Sequence, residues 1–372
     1  MSEQIDDRAF VLSHLEVADV LRQASARAFS AELVSAIEST YGDRYLRPIV
    51  RTGWTRDRDT LEVMGCSSID YTCVKLISSN PSIASPEIPA VTGTLVCTAV
   101  GDDQAVLVCD TSLLTPLRTA AGTAVVLKRL RPRPVTIGIV GGGIEGVAHA
   151  LVLALLFRDV REIRIHDAEA DRTLAAVREV EGLLDAEGVG SRVSVAGCGS
   201  SELEELFGSD VVVTATYGWD PICELSTLDP KTKHFIAAVG ADLEGKQELN
   251  DRLYQHARFV ADDLGQCLRQ GELQYAASQL GVDVEEIARQ TSHGGWLLDG
   301  QIIGVENLLA RTRGVKRSEP VTIYDSTGFS GQDLALARVI LKLCEAQGVA
   351  RVPWNPPKSS YLTPLIDLVQ AS

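Results

Sequence analysis

The sequence of 372 residues predicts an α/β protein with a doubly wound parallel sheet in one domain and an α+β arrangement in the other. Two observations predict this fold class. From position 135 onward, short β-branched apolar segments alternate with helical segments, the pattern of a parallel sheet covered by helices on both faces. Before position 132, alternating apolar residues and a turn sequence predict antiparallel strand pairs instead.

The first region opens with helical patterning from about Val17 to Tyr41. Strand-like segments follow around 60–63, 71–77, 92–100 and 105–109. Gly101-Asp102-Asp103 is a turn sequence, and it predicts that the last two segments form a β-hairpin. These elements together predict an α+β domain.

Arg131-Pro132-Arg133-Pro134 ends a helical run and marks the sharpest boundary, because proline removes a backbone donor and disfavours helix before it. Predicted strands then follow at 135–140, 162–167, 193–195, 210–216, 234–239 and 257–262. Helical stretches separate these strands, so they predict a parallel sheet. A further helical pattern covers 332–347, but pattern alone does not assign it to either domain.

Composition and charge exclude several classes of protein. A formal net charge of −15 argues against nucleic acid or an anionic membrane as a partner. The first residues lack a basic segment followed by an apolar core, and no stretch approaches the roughly 20 apolar residues of a membrane helix. Eight scattered cysteines predict reduced thiols, and the six histidines lack zinc-site spacing, so we expect a cytoplasmic protein without a metal.

The run 141–146 (GGGIEG) is the strongest single motif, because it matches G-x-G-x-x-G between a predicted strand and a predicted helix. Gly141 permits a tight turn, Gly143 permits close approach of a pyrophosphate, and Gly146 permits strand–helix packing. Asp167 ends the second predicted strand, where a carboxylate accepts ribose hydroxyls and repels a 2′-phosphate. The pattern predicts NAD rather than NADP. A plain structural turn is the alternative interpretation, and Arg172 nearby in sequence is a potential partner for a phosphate.

Several motifs follow one another from about Arg51 to Asp333: Lys75 in CVK, the glycine loop, and blocks 114–121 (LTPLRTAA), 239–249 (VGADLEGKQEL) and 325–329 (DSTGF). In these motifs and their order, the chain resembles the ornithine cyclodeaminase/mu-crystallin family. Segments 61–64 (LEVM) and 271–274 (GELQ), with DSTGF, resemble the ornithine and lysine cyclodeaminases in particular.

The resemblance implies roles for individual residues. Arg51, Lys75 and Arg118 would bind the substrate carboxylate, with Glu62 nearby and with Lys75 and Glu62 among the catalytic residues. Asp242 would be the catalytic carboxylate that handles the substrate amino group. The implied cofactor-site residues, besides the glycines and Asp167, are Thr119, Ile144, Glu145, Thr216, Val239, Gly240, Lys246 and Ser326.

The resemblance also implies a homodimer. Residues 1–132 and 327–372 would form the substrate-binding and dimerisation domain, and residues 133–326 would form the NAD-binding Rossmann domain. Two positions depart from the family pattern. Ala90 stands where threonine is common, and Glu145 stands where glutamine usually follows the glycine loop, which brings a carboxylate close to the pyrophosphate.

Each of these residues also has a structural interpretation. A strand lysine such as Lys75 usually faces solvent, and Glu62 could be an ordinary exposed strand residue. Arg118 could cap or pair near a helix start, whereas burying it unpaired would be costly without a bound carboxylate. Asp242 could be an Asx-turn or a helix N-cap, and Lys246 and Glu248 could lie in a solvated first helical turn.

The function that these residues and the resemblance imply is NAD-dependent cyclodeamination of a basic L-amino acid. In such a reaction the α-carbon gives up a hydride transiently, the distal amine attacks, ammonia leaves, and proline or pipecolate forms. Net-redox amino-acid dehydrogenases, ketimine reductases and opine-type amine dehydrogenases of the same family are alternatives. A non-catalytic small-ligand-binding protein resembling mu-crystallin is a further alternative.

Overall fold

The structure is a computed structural model that describes residues 8–57, 59–80, 89–101, 104–130, 133–228, 234–279, 302–310 and 321–354. The chain divides into two compact units. One comprises the described parts of Met1–Ala24, Tyr45–Leu113 and Ala337–Ser372, and the other comprises those of Ser25–Arg44 and Leu114–Leu336. We call them the antiparallel-sheet unit and the parallel-sheet unit.

The strands of the parallel-sheet unit are β8 (Thr136–Val140), β9 (Glu162–His166), β10 (Ser194–Gly197), β11 (Val211–Thr214), β12 (His234–Ala238), β13 (Ala257–Ala261), β14 (Ile302–Gly304) and β15 (Val321–Asp325). They pair in parallel in the order β10-β9-β8-β11-β12-β15-β13-β14. The chain leaves β8 toward one side of the sheet and later returns to its other side with β11. This reversal is the switch point of a doubly wound sheet and confirms the predicted Rossmann-type fold class.

The helices of this unit are α2 (Ala26–Tyr41), α3 (Leu114–Leu130), α4 (Ile144–Leu156), α5 (Ala170–Ala186), α6 (Leu203–Phe207), α7 (Asp251–Tyr254), α8 (Leu264–Gln270), α9 (Leu273–Gln279) and α10 (Val305–Ala310). Strands β11, β12 and β13 are buried along their whole length, because helices cover both faces of the sheet. Helix α4 is apolar on nearly every side and is correspondingly buried.

The strands of the antiparallel-sheet unit are β1 (Arg8–Leu12), β2 (Arg47–Pro48), β3 (Thr52–Arg56), β4 (Asp59–Ser67), β5 (Tyr71–Ser79), β6 (Val91–Ala99), β7 (Ala105–Asp110) and β16 (Val352–Pro353). They follow the order β16-β1-β7-β6-β5-β4-β2, and β3 also pairs with β4. Helix α1 (His14–Gln23) belongs here, and α11 (Ser330–Gln347) contains the boundary between the units. Pairing of β6 with β7 confirms the predicted hairpin, whose Asp102 and Asp103 lie outside the described residues.

The predicted helical stretch from Val17 to Tyr41 is two helices rather than one. Ser25 caps the second helix by accepting a hydrogen bond from the Ala28 amide, a contact typically worth about 1 kcal/mol. The break assigns α1 and α2 to different compact units. Helix α3 likewise lies in the parallel-sheet unit, so the compact units differ in extent from the division at position 132.

No helix among the described residues is both long and apolar enough to span a bilayer. All eight cysteines are buried and none is in a disulfide, which agrees with the reduced thiols predicted from their spacing. Across the described ranges, no three His, Cys, Asp or Glu side chains cluster as metal ligands would.

Candidate functional site at the carboxyl edge of the parallel sheet

The glycine loop joins β8 to α4 at the carboxyl edge of the parallel sheet. Gly141 has φ +112, and a Cβ there would lie 2.4 Å from the Ala215 carbonyl oxygen. A Cβ at Gly143 would instead meet only the end of the Arg172 side chain, 3.7 Å away, which is an ordinary van der Waals distance. Gly143 is also the N-cap of α4 and provides no side-chain cap. The loop therefore leaves room beside the helix N-terminus, which is what a pyrophosphate requires.

Asp167 follows β9 and is bonded into the glycine loop. Its Oδ2 accepts a 2.8 Å hydrogen bond from the Gly142 amide, and its Oδ1 accepts one of 3.1 Å from the Glu169 amide. Arg172 Nε lies 3.5 Å from the same Oδ2. The carboxylate predicted to select NAD thus also shapes the loop, and it has a cationic neighbour.

Glu145 lies in the first turn of α4, within 3.4 Å of the Thr119 hydroxyl. One turn later, buried His149 contacts the Glu145 carbonyl through Nδ1 and Thr123 through Nε2. Because a carbonyl only accepts, Nδ1 carries the proton and Nε2 accepts from the Thr123 hydroxyl. Burial lowers the pKa of His149 to about 4, so this histidine is neutral near pH 7.

The ends of β8, β11 and β12 meet in a region that we call the strand-end contact, formed by Gly141, Ala215, Thr216 and Gly240. A Cβ at Gly240 would lie 2.4 Å from the Thr216 carbonyl oxygen. Val239 donates a 2.9 Å backbone hydrogen bond to Thr214. The predicted cofactor residues Gly141, Thr216, Val239 and Gly240 therefore lie at one place in the fold.

Asp242 and Lys246 lie in the irregular segment after β12. Lys246 Nζ donates a 2.9 Å hydrogen bond to Asp242 Oδ1 and lies 4.8 Å from the centre of the Tyr217 ring. Burial lowers the pKa of Lys246, but attraction from Asp242 and Glu248 outweighs it and the pKa is raised. The next helix, α7, is capped by Asn250, so Asp242 does not act as a helix N-cap. Lys246 and Glu248 are buried rather than solvated.

Arg118 is buried in α3, where three features converge on its guanidinium group. Nη1 donates a 3.0 Å hydrogen bond to Gln332 Oε1, and Nε lies 3.5 Å from Asp333 Oδ1. Gly328 has φ +93, and a Cβ there would lie 2.9 Å from Arg118 Nη2. Only glycine accommodates both this backbone conformation and this approach. The arginine is therefore oriented by the DSTGF loop and the start of α11.

Ser326, predicted near the cofactor, follows β15 in a buried loop. Its hydroxyl donates a 2.9 Å hydrogen bond to Asp262, and its amide donates one of 3.0 Å to the Ala238 carbonyl. Asp262 also accepts a 2.8 Å bond from the Gly328 amide. One carboxylate after β13 thus holds the loop that contacts Arg118.

The antiparallel-sheet unit contains Arg51, Glu62 and Lys75, all buried. Arg51 and Glu62 form a bidentate ion pair, in which Nε lies 2.8 Å from Oε1 and Nη2 contacts Oε2. Lys75 is 1% exposed and pairs in register with Met64, on the same face of the sheet as Glu62. The expectation of a solvent-facing lysine and an exposed glutamate is therefore wrong. Ala90, the departure from the family pattern, immediately precedes β6.

Within the parallel-sheet unit, strand direction explains why most of the predicted residues gather, since all except Arg118 and Thr119, which lie in α3, follow the carboxyl end of a parallel strand. Sequence analysis missed the groups that hold them: Gln332, Asp333, Asp262 and Glu248. The first two stand directly after DSTGF-S-G, and Glu248 lies inside the VGADLEGKQEL block. Their place in these blocks was the available signal, but only the folded chain shows which backbone groups they contact.

The model of the ornithine cyclodeaminase/mu-crystallin family matches residues 15–347. Alanine dehydrogenase of Archaeoglobus fulgidus is 28% identical over 286 residues, covering 76% of this chain and 80% of that protein. Ornithine cyclodeaminase of Brucella abortus is 26% identical over 283 residues, covering 75% of this chain and 70% of the relative.

Solved structures share the fold across nearly the whole chain. One is a lysine cyclodeaminase whose structure was solved to explain its recognition of L-lysine, L-ornithine and L-2,4-diaminobutyric acid. It superposes with a TM-score of 0.79 at 24% identity, and the match covers 96% of this chain and 98% of that chain. An archaeal alanine dehydrogenase dimer with bound NAD has a TM-score of 0.75 at 23% identity, with coverages of 93% and 99%. At these identities the structures establish a common fold.

Proposed function

The chain belongs to the ornithine cyclodeaminase/mu-crystallin family, and we propose that it is an NAD-dependent cyclodeaminase acting on a basic L-amino acid. The observation that carries this proposal is the Asp242–Lys246 pair, which follows β12 at the carboxyl edge of the sheet. The glycine loop follows β8 at the same edge, and only β11 lies between these two strands. A carboxylate so placed suits proton exchange with an amine.

The proposed cofactor is NAD. The absence of a side chain at Gly143, the uncapped start of α4 and the carboxylate of Asp167 fit the pyrophosphate and adenosine ribose of a dinucleotide. When bound, the nicotinamide supplies reversible hydride transfer at the substrate α-carbon. Archaeal alanine dehydrogenase, which has the same fold, holds NAD in its solved structure.

Asp242 accepts a proton from the substrate amine in this proposal and thereby keeps the distal amine able to attack. Its carboxylate is partly exposed, whereas its partner Lys246 is buried, so the acid faces accessible space and the cation lies behind it. Ammonia leaves and the ring closes with no net redox change.

Arg118 binds the substrate carboxylate in this proposal, and on the family resemblance Arg51 and Lys75 do so too, with Glu62 nearby. Gln332 and Asp333 hold the Arg118 guanidinium in one orientation, which favours bidentate recognition of a carboxylate. Lys75 and Arg51 are both buried, and Arg51 is paired with Glu62.

A screen of L-amino acids with NAD, following ammonia and reduced-nicotinamide absorbance together, tests this function. A cyclodeaminase releases one ammonia per turnover while reduced NAD does not accumulate. Ammonia accompanied by an equal amount of reduced NAD would instead identify a dehydrogenase. Absence of turnover with every amino acid, despite NAD binding, would favour a ligand-binding protein.

A net-redox amino-acid dehydrogenase is the second candidate, because alanine dehydrogenase of A. fulgidus aligns over 286 residues. The residues described above serve both reactions, since both need an oriented α-carbon and a proton acceptor. L-Alanine is therefore included in the screen beside ornithine and lysine. The ratio of ammonia to reduced NAD separates the two activities.

The same proposal includes a homodimer formed through the antiparallel sheet. The face of this sheet opposite Lys75 carries exposed apolar side chains on neighbouring strands, at Leu61, Val74, Leu76 and Val96. Val74 and Val96 are register partners on β5 and β6. An apolar sheet face of this kind is typical of a subunit interface, and the archaeal alanine dehydrogenase is a dimer.

A further inference from the structure

We propose that Glu248 is a positioning residue of the cofactor site, whose carboxylate fixes the ends of β11 and β12 against the glycine loop. The proposal rests on the NAD dependence proposed above and extends it to a residue that does not itself face the cofactor. Glu248 lies in the segment after β12 and is 0% exposed.

Four donors converge on this one carboxylate. Oε2 accepts a 2.7 Å hydrogen bond from the Thr214 hydroxyl and one of 3.0 Å from the Gly240 amide. Oε1 accepts bonds of 2.7 Å from the Thr216 amide and 2.8 Å from the Thr216 hydroxyl. Thr214 ends β11 and Thr216 follows it, whereas Gly240 follows β12. One side chain therefore joins the ends of two neighbouring strands.

The strand-end contact turns this link into a constraint on the glycine loop. A Cβ at Gly141 would lie 3.3 Å from the Thr216 nitrogen, the atom that donates to Glu248. On the other side of Thr216, a Cβ at Gly240 would lie 2.4 Å from both Thr216 O and Glu248 Oε1. Because the backbone is packed this closely, movement of Thr216 would displace the glycine loop, which is the proposed pyrophosphate site.

Only a carboxylate meets this set of donors. Glutamine has the same length, but its amide nitrogen is itself a donor and would oppose one backbone amide, that of Thr216 or that of Gly240, although the threonine hydroxyls can turn to accept from it. A buried donor left without an acceptor is costly, so the strand ends would move apart to relieve the conflict. Glu248 thus determines the spacing through the hydrogen-bonding capacity of both of its oxygens.

Glu248 is itself fixed from behind. Its own amide donates a 2.7 Å hydrogen bond to Glu272, and the Leu249 amide donates to the other oxygen of Glu272 at 3.3 Å. The backbone that carries the carboxylate is therefore anchored independently of the strand ends. This arrangement suits a rigid spacer rather than a side chain that adapts to its surroundings.

The amino edge of the same sheet provides a matched control. There Asp210 accepts hydrogen bonds from the Val135 amide at 2.8 Å and the Thr136 amide at 3.2 Å, and so joins the beginnings of β8 and β11. Asp210→Asn removes a carboxylate that links strands of the same sheet, but at the opposite edge. This variant therefore distinguishes a general loss of stability, caused by removing a link between strands, from a specific loss of cofactor positioning.

The test compares wild type, Glu248→Gln and Asp210→Asn by titrating NADH with nicotinamide fluorescence, well below each melting temperature. We expect Glu248→Gln to weaken NADH binding about tenfold or more, as loss of a charged hydrogen bond in the site would. Asp210→Asn lowers the melting temperature but keeps NADH affinity within about twofold. Thr214→Val removes one donor to Glu248 and serves if Glu248→Gln fails to fold, with a weakening of about threefold expected.

An unchanged NADH affinity in Glu248→Gln, or in Thr214→Val if the first variant does not fold, would overturn the positioning role of Glu248 but not the proposed cofactor. Equal losses of affinity in Glu248→Gln and Asp210→Asn would also overturn that role, because they would indicate general destabilisation. Absence of NADH binding by wild type would overturn the proposed cofactor and the assignment with it.

Discussion

Lys246 donates its 2.9 Å hydrogen bond to Asp242 from a buried position, so the carboxylate proposed to handle protons has a cation as its immediate partner. Tyr217 packs against the same ammonium group. The acid is therefore oriented by its neighbours before any substrate arrives.

Asp242→Asn tests the proton-handling role. Asparagine can still accept the hydrogen bond from Lys246 through its amide oxygen, but it is not a base, so we expect kcat to fall by roughly 10² or more. NADH affinity and melting temperature should barely change. Near-normal turnover in this variant would remove Asp242 from the mechanism and make Glu62 the leading candidate carboxylate.

Arg118 is tested by replacing it with lysine and with alanine. Lysine keeps the charge but lacks the planar fork that Gln332 and Asp333 orient, so both variants should lose kcat/KM to a similar extent, by about tenfold or more. Amine analogues without a carboxylate should be poor substrates of wild type. Efficient turnover of such an analogue would contradict the assignment.

Cofactor preference is tested by fluorescence titration with NADH and NADPH. Wild type should bind NADH more tightly, because the carboxylate of Asp167 opposes a 2′-phosphate. Asp167→Ser should reduce the preference, and Arg172→Ala should strengthen it by removing the cation beside Asp167. Equal wild-type affinities for the two cofactors would refute the predicted selection of NAD.

Asp325 gives a prediction for stability against pH. Burial, opposed by hydrogen bonds from the Leu273 and Glu272 amides and reinforced by the charge of Asp262, raises its pKa from 3.8 to about 8. Between these values the folded chain holds a proton that the unfolded chain has lost, so stability falls as pH rises, by at most about 1.4 kcal/mol per pH unit.

Denaturant unfolding of wild type and Asp325→Asn from about pH 5 to pH 9 measures this effect. The variant should show a shallower decline because it cannot release that proton. Glu272 also has a raised pKa through burial and should leave part of the slope in place. Identical slopes in the two proteins would show that Asp325 does not carry this proton.

The proposed dimer is tested with Val74→Glu, which places a charge on the exposed apolar face of the antiparallel sheet. We expect this variant to become a monomer, measured by light scattering after size-exclusion chromatography. Leu174→Glu is the matched control, since Leu174 is exposed on helix α5 of the other unit. A monomeric wild type, or a dimeric Val74→Glu, would contradict the proposed interface.

The sequence predicts the parallel strands well because residues such as those of β8 and β12 are buried on both faces and form continuous apolar runs. It does not reveal β14, which has only three residues, or the break between α1 and α2, where Ala24 ends one helix and Ser25 caps the next. Boundaries of this kind depend on packing that no local pattern records.

Motif spacing identified Asp167, and the family resemblance identified Arg118 and Asp242, yet both left the partners of these residues unknown. Gln332 lies 214 positions from Arg118 in the chain, and Asp262 lies 66 positions from the Gly328 amide that it binds. Such pairs arise from topology, so a single sequence contains the residues without showing that they meet. Glu248 is likewise separated in sequence from Thr214 and Thr216, so its contacts with them were not predicted.

The hydrogen bonds of Glu248 protect backbone amides beyond the ends of the strands from hydrogen exchange. Amide protons of Thr216 and Gly240 lie outside β11 and β12, but each is bonded to a buried carboxylate. Their exchange with deuterated solvent therefore requires opening of the sheet rather than fraying of a loop, and should be as slow as that of the adjoining strands. The part of the loop region nearest the proposed cofactor thus belongs to the slowest-opening core of the molecule.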